Sequence, residues 1–257
     1  MKIATWNVNS VRARLPRVLE WLGQAKPDVA LLQEIKCVDE AFPAEPIEEL
    51  GYNVKVRGQK TYNGVAILST HPIEVLAAAL PGDPADEEAR YLEAFTAGVR
   101  VASVYVPQGQ AVGSERFAYK LGFLDRLRAH VSTLLADEDA FVVGGDLNVA
   151  PNDDDVYDPE RLDGEVCFHP DERARLRAIL HLGVTDAVHA RHPEAGNFTF
   201  WDYRSGAWTK NHGWRIDHLL LSPKAADRLE DAGIDRGPRG LEGCSDHVPV
   251  WCTLSGA

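Results

Sequence analysis

Apolar positions along the chain fall into short continuous runs, which predict strands, and into recurrences near 3.6 residues, which predict helices. Lys2 to Val8 reads as a strand ending on the polar Asn7. Behind Ser10, a residue type that caps helices, Val11, Leu15, Val18, Leu19 and Leu22 recur at helical spacing. Pro16 weakens the early part of that helix or moves its regular start later. The apolar run Val29–Leu32 predicts a buried strand running into Gln33-Glu34, and further strands are expected at Tyr52–Val56, Val65–Leu68, Val99–Val106, Phe141–Gly144, His218–Leu221 and Val248–Thr253. Helices are expected over Ser114–Leu135 and Glu172–Leu182, with a short one at Ala225–Asp231, and Pro81–Glu88 is a Pro/Asp/Glu-rich loop. Many strands with a few interposed helices imply a layered α/β domain. With no repeat of solenoid period and no Gly/Ser or Pro linker, residues 1–257 read as one domain.

Several of these strands pass from an apolar interior straight into oxygen-bearing side chains: Trp6-Asn7, Leu32-Gln33-Glu34, and Val143-Gly144-Gly145-Asp146-Leu147-Asn148. Strand ends along one sheet edge project such groups into a shared cleft, although Asn and Asp after a strand are also ordinary turn residues. The recurrence, not any single end, points to a site.

Composition narrows the class. A chain of 257 residues, 45% hydrophobic and 26% charged, is neither disordered nor collagenous. No window approaches the ~18 apolar residues of a membrane span. Met1-Lys2 leads directly into Ile3-Ala4-Thr5-Trp6 without the parts of a secretory signal. Cys37, Cys167, Cys244 and Cys252 form no C-x-x-C pair and read as reduced thiols of a cytoplasmic protein. Lys+Arg 27 against Asp+Glu 39 leaves a net charge of −12. That balance alone favours a small-molecule enzyme, because a polyanion is repelled unless positive charge is local or a metal supplies it.

Most catalytic patterns are missing. Ser245-Asp246-His247 are consecutive, so their side chains diverge and form no triad among themselves. Nucleophile-elbow, phosphate-loop and dinucleotide glycine motifs are absent, and the nine histidines lack zinc spacing. What remains is oxygen chemistry. Asn7, Glu34, Asp146, Asn148, Asp217 and Asp246 form the donor set of a hard cation such as Mg²⁺ or Mn²⁺. Gly144-Gly145 removes side chains where a phosphate would approach the backbone. With His247 as a group titrating near neutrality and Asp217 as its orienting partner, the set suits metal-assisted hydrolysis of a phosphodiester.

Leu31-Leu32-Gln33-Glu34-Ile35-Lys36, Gly144-Gly145-Asp146-Leu147-Asn148, Trp214-Arg215-Ile216-Asp217 and Ser245-Asp246-His247 occur in the order of the signature segments of the exonuclease III family, the class II apurinic/apyrimidinic endonucleases of DNA repair. Trp6-Asn7-Val8-Asn9-Ser10, Tyr105-Val106-Pro107-Gln108-Gly109 and Thr199-Phe200-Trp201-Asp202-Tyr203 also resemble family segments. The resemblance implies a four-layer α/β sandwich, two packed mixed β-sheets flanked by helices, with the active site at one edge. It implies a Mg²⁺-dependent nuclease (Mn²⁺ as substitute) acting on duplex DNA as a monomer, at abasic sites and 3′ ends. Glu34 resembles the main metal carboxylate, with Asn7, Asp146, Asn148, Asp246 and His247 completing the ligand set. Asp146 resembles the group that orients or deprotonates water, Asn148 and Tyr105 the phosphate contacts, and Asp217 the partner of His247. The family leaves the base open between Asp146 and His247, with Asp146 favoured here, and leaves open one ion or two.

Phe200, Trp214 and Ile216 resemble the walls of a pocket for an extrahelical abasic sugar. Arg90, Arg116, Lys120, Arg204, Lys210 and Arg215 are candidate DNA contacts, with a basic or metal-loaded face opposite an acidic one. Each residue also has an ordinary reading: Glu34 as a helix cap, Tyr105 as a core ring, His247 as a backbone-bonded histidine, the aromatic trio as core packing. A lipid-phosphate hydrolase of the same architecture and a non-catalytic DNA-binding relative are the competing functions. The segment Asp154–Glu165 with His169, and the acidic stretches at 83–88 and 153–155, receive no role from the sequence.

Overall fold

Strand residues alternate between two apolar surroundings, and this alternation builds the layers. In the computed structural model, which describes residues 1–256, the strands are β1 (Lys2–Asn7), β2 (Val29–Gln33), β3 (Asn53–Arg57), β4 (Val65–Ser69), β5 (Glu74–Ala77), β6 (Tyr91–Thr96), β7 (Val99–Tyr105), β8 (Phe141–Asp146), β9 (Thr185–Asp186), β10 (Asp217–Leu221), β11 (Leu229–Ile234) and β12 (Val250–Leu254). The helices are α1 (Val11–Ala25), α2 (Ala44–Glu48), α3 (Glu115–Ala136), α4 (Pro159–Leu162), α5 (Pro170–Leu180), α6 (Ala187–Arg191) and α7 (Pro223–Ala226). Two six-stranded sheets result, ordered β11-β12-β1-β2-β4-β3 and β5-β6-β7-β8-β10-β9. Each is mixed: β1 and β2 run parallel, as do β7 and β8, and the other pairs are antiparallel.

Ile3, Leu31 and Ile67 of the first sheet meet Val101, Val142 and Leu219 of the second between the layers. Their neighbours Ala4, Ala30 and Leu68 face outward onto Val18, Trp21 and Leu22 of α1. On the far side, Val104, Val143 and Leu220 receive Phe123, Leu127 and Val131 of α3 with Leu176 of α5. Each such fully buried aliphatic or aromatic side chain contributes about 1.5–3 kcal/mol. The fold is the expected four-layer α/β sandwich.

Several local expectations need correction. Ser10 sits at the α1 N-cap with φ 84° but makes no side-chain cap bond. Its amide and that of Val11 instead reach the carbonyls of Glu34 and Ile35, so α1 starts from the end of β2 and simply accommodates Pro16. The helix expected over Ala225–Asp231 ends at Ala226, and Leu229 onward is the edge strand β11. Strands β5, β6 and β9 were not anticipated.

One edge gathers the strand ends. The parallel strands β1, β2, β7 and β8 finish there at Asn7, Gln33, Tyr105 and Asp146, which are register neighbours within each pair. The antiparallel β10 begins there, placing Asp217 opposite Asp146. Ligand sites of open α/β sheets lie at such carboxyl ends.

Candidate active site

Asn7 is buried between two carboxylates. Its Nδ2 donates to Glu34 Oε1 and to Asp146 Oδ2, both at 2.9 Å, while its Oδ1 accepts the Asn9 amide at 3.0 Å. Glu34 follows β2 with φ 50°, and its Oε2 lies 2.7 Å from Lys36 Nζ. Burial works against the Glu34 charge, but the Lys36 ammonium and the Asn7 amide outweigh it and hold the carboxyl below its ordinary value.

Asp146 ends β8. Its Oδ1 accepts the Asn148 amide at 2.9 Å, and its Oδ2 also takes Asn148 Nδ2 at 3.2 Å. Desolvation dominates here and lifts the carboxyl above the usual carboxylate range, against the pull of His247. Asn148, in the left-handed region at φ 50°, also donates to the Val106 carbonyl at 2.9 Å. Its Oδ1 faces the Cys167 thiol at 3.7 Å, and Lys120 Nζ holds its backbone carbonyl at 2.7 Å.

His247 bridges the two sides. Its Nδ1 is 2.8 Å from Asp217 Oδ2, and its Nε2 points at Asp146 Oδ2 across 3.8 Å. Asp217 Oδ2 also accepts Thr199 Oγ1 at 2.6 Å, and Thr199 Oγ1 in turn accepts the amides of Ile216 and Asp217. Burial disfavours the imidazolium, yet Asp217 and Asp146 more than offset it and raise the ring to about 10. Tyr105, at the end of β7, is pushed well above its ordinary value by burial and by the charges of Glu34 and Asp146.

Donor atoms of Glu34, Asp146 and His247 all lie within 4.8 Å of one another. Two carboxylates and an imidazole, with no thiolate among them, suit a hard or borderline divalent cation. The other expected ligands stand differently. Asn7 turns its nitrogen, not its oxygen, to the trio. Asn148 directs its oxygen at Cys167. Asp246 is tied to Asn9 Nδ2 at 2.9 Å and falls outside the trio.

A family model described as the Endonuclease/Exonuclease/phosphatase family matches residues 4–247. Exodeoxyribonuclease III of Haemophilus influenzae is 36% identical, covering 98% of this chain and 98% of its own. The chain belongs to the endonuclease/exonuclease/phosphatase family, on its exonuclease III branch. An AP endonuclease from Archaeoglobus fulgidus shares the structure at TM-score 0.96 with 40% identity, and a 3′ phosphatase from Neisseria bound to a product DNA hairpin does so at 0.97 with 39%; both comparisons cover 100% of each chain.

Beside the trio of this family member, Phe200 lays its ring against His247 at 4.8 Å and pairs by backbone with Trp214 and His247. Ile216 is buried in the same apolar cluster, with Val156 and Phe168. Of the three expected pocket walls, Phe200 therefore touches the acidic centre, with Trp214 and Ile216 packed into the same cluster.

The expected basic contacts are mostly elsewhere. Arg90 is buried: its guanidinium covers the Tyr105 ring at 4.6 Å and bonds Glu88, so it does not present a charge to an open face. Lys120 is fully buried against Glu172. Arg215 is spent on Asp155 and Asp186, whose carboxylates keep its guanidinium protonated despite burial. Arg116 pairs with Glu88 and Arg204 with Asp202, leaving Lys210 as the exposed cation of the six without an ion pair among the described residues. The glycines also work differently than expected: a Cβ on Gly145 would lie 1.8 Å from the Val104 carbonyl oxygen, and one on Gly144 would lie 2.6 Å from Leu219, so both serve strand and sheet packing.

Sequence reasoning missed Asn9, Lys36 and Thr199 as individuals, although each lies inside a quoted segment. Asn9 accepts Lys36 Nζ at 2.6 Å and donates to Asp246, and Thr199 fixes Asp217. Only the fold shows that these three join segments remote in the chain. His169 caps α5, its Nδ1 accepting the Asp171 amide.

Proposed function

We propose that this edge hydrolyses phosphodiester bonds of duplex DNA, incising 5′ to abasic sites and removing nucleotides 3′→5′, to leave 3′-OH ends. The chain is a DNA-repair nuclease of the exonuclease III type. The observation that carries the finer reading is the convergence of Glu34, Asp146 and His247 within 4.8 Å, with the half-buried Phe200 ring packed beside His247. The reading takes residues 1–257 as one domain acting as a monomer, and its four free, buried cysteines accord with a cytoplasmic setting.

The metal we propose is Mg²⁺, with Mn²⁺ as substitute, held by the Glu34 carboxylate and facing Asp146; the protonated His247 lines the same space without ligating the ion, and Asn7, Asn148 and Asp246 surround them. Such an ion, when bound, offsets phosphate charge and favours ionisation of water. Asp146, lifted toward neutrality by burial, is the group suited to take a proton from the attacking water. His247, held protonated by Asp217, is instead a donor to a non-bridging phosphate oxygen, so the base falls to Asp146. The Tyr105 hydroxyl stays protonated and contacts the phosphate or the leaving oxygen. Asn148, whose amide nitrogen is shared between Asp146 and the Val106 carbonyl, holds the Asp146 carboxylate in place beside that phosphate. Phe200, Trp214 and Ile216 receive the base-less sugar, and stacking bulk there excludes an intact nucleotide.

The lipid-phosphate alternative is not favoured, since relatives matching along the whole chain are DNA nucleases by name. A labelled duplex carrying a tetrahydrofuran abasic analogue tests the proposal. Incision 5′ to the analogue, abolished by EDTA and restored by Mg²⁺, is expected; an uncut duplex, or cutting indifferent to chelation, overturns it.

A further inference from the structure

The acidic loop at 83–88 carries much of the negative charge that made DNA binding look unfavourable, yet two of its four carboxylates, Asp86 and Glu88, are paired with arginines. Both oxygens of Asp86 accept Tyr119 Oη at 2.9 Å, and Asp86 also pairs with Arg126, so the loop is fastened to α3. Glu88, two residues on, joins three elements. Its carboxylate takes Arg116 of α3 through two bonds, at 2.6 and 3.1 Å. It takes Arg90 Nε at 2.5 Å. It accepts Asn63 Nδ2 at 3.3 Å, from the loop whose Asn63 carbonyl receives the Lys36 amide.

Arg90 links this carboxylate to the candidate site. Its backbone carbonyl accepts the Tyr105 amide at 2.8 Å, its Nη1 donates to the Tyr105 carbonyl at 3.3 Å, and its guanidinium covers the Tyr105 ring at 4.6 Å. Glu88 is the one carboxylate bonded to this buried guanidinium among the described residues. A buried Arg without its carboxylate seeks another partner, and Glu34 and Asp146 are the other acids whose charge reaches the tyrosine. We infer that Glu88 is a positioning residue, holding Arg90 beneath Tyr105 and thereby fixing the tyrosine hydroxyl at the phosphate. The inference rests on the nuclease reading of Tyr105. The two arginines keep the Glu88 carboxylate ionised down to about pH 2, so the clamp stays charged across the working range.

A double-mutant cycle tests it. Single-turnover incision of the tetrahydrofuran duplex and DNA affinity are measured for wild type, Glu88→Gln, Tyr105→Phe and the double variant, with thermal melts of each. Glu88→Gln is expected to lower kcat by about tenfold or more while KM moves less than about twofold, because a small misplacement of a group near the reacting atoms costs rate before binding. In the Tyr105→Phe background the same change is expected to cost little further, since the hydroxyl through which Glu88 acts is gone. Equal losses in both backgrounds, or a Glu88→Gln enzyme with wild-type kcat, overturn the inference while leaving the nuclease reading intact. An inactive wild type overturns both. Should Glu88→Gln fail to fold, Glu88→Asp, which keeps the charge and shortens the reach, is put through the same cycle with the same criteria.

Discussion

Replacing Asp217 by Asn isolates the electrostatics of the proposed centre. Asp217 Oδ2 accepts His247 Nδ1 at 2.8 Å and Thr199 Oγ1 at 2.6 Å, and both Asp217 and His247 are buried. A hydrogen bond to a charged partner nets about 1.5–3 kcal/mol. At about 1.4 kcal/mol per decade, its loss from the transition state costs roughly 10- to 150-fold in kcat. KM changes little if the imidazolium acts on charge that develops during attack. The ring is raised from an ordinary 6.5 to about 10, so the pair stabilises the native fold fully below 6.5 and loses that contribution as pH rises toward 10. In Asp217→Asn the ring is expected to titrate nearer its ordinary value, and the alkaline limb of kcat to move down with it. Single-turnover incision across pH and an NMR titration of the His247 imidazole are the assays. Turnover within twofold of wild type, or an unmoved imidazole midpoint, refutes the reasoning.

Other substitutions separate chemistry from scaffold. Asp146→Asn is expected to lower kcat by about 10²–10⁴ with DNA affinity kept, read by incision and by fluorescence anisotropy. Gly145→Ala drives a methyl into the Val104 carbonyl between β7 and β8 and is expected to destabilise by about 3 kcal/mol or more, read as a lower urea midpoint. Arg215→Ala leaves Asp155 and Asp186 buried without their cation and is expected to cost about 3–5 kcal/mol, a loss in urea stability unlike that of a surface DNA contact. Because Arg215 and His218 hold the Asp186 carboxyl below its ordinary value, the stability Asp186 contributes is present at neutral pH and is lost as pH falls below its ordinary value of 3.8; the acid limb of a melting curve checks this in wild type.

The interior was legible where every strand position is apolar. Val29–Leu32 and Val65–Leu68 are buried throughout, and their runs of branched residues announce it. β6 was hidden because Glu93 interrupts its apolar run; the carboxylate is buried, satisfied by Tyr91, His130 and Arg100, partners no local pattern reveals. β5 and β11 were missed or misread because they are sheet edges, where exposed Glu and Asp positions imitate a loop or helix. At the candidate site, residue types were readable but orientations were not. Whether Asn7 offers nitrogen or oxygen depends on Asn9, and whether a basic residue faces DNA or a buried acid depends on contacts tens of residues away. Charge counting misled for the same reason: Asp86, Glu88, Asp155 and Asp186 are neutralised in place by arginines of other segments.

The location of the divalent ion tests the central claim most directly. Crystals grown with Mn²⁺ and an abasic duplex, measured near the manganese absorption edge, are expected to give an anomalous peak against the Glu34 carboxylate, facing Asp146 and His247, with a backbone phosphate beside it. A peak seated instead at Asp153–Asp155, or a bound duplex whose phosphate lies away from Glu34, contradicts the account.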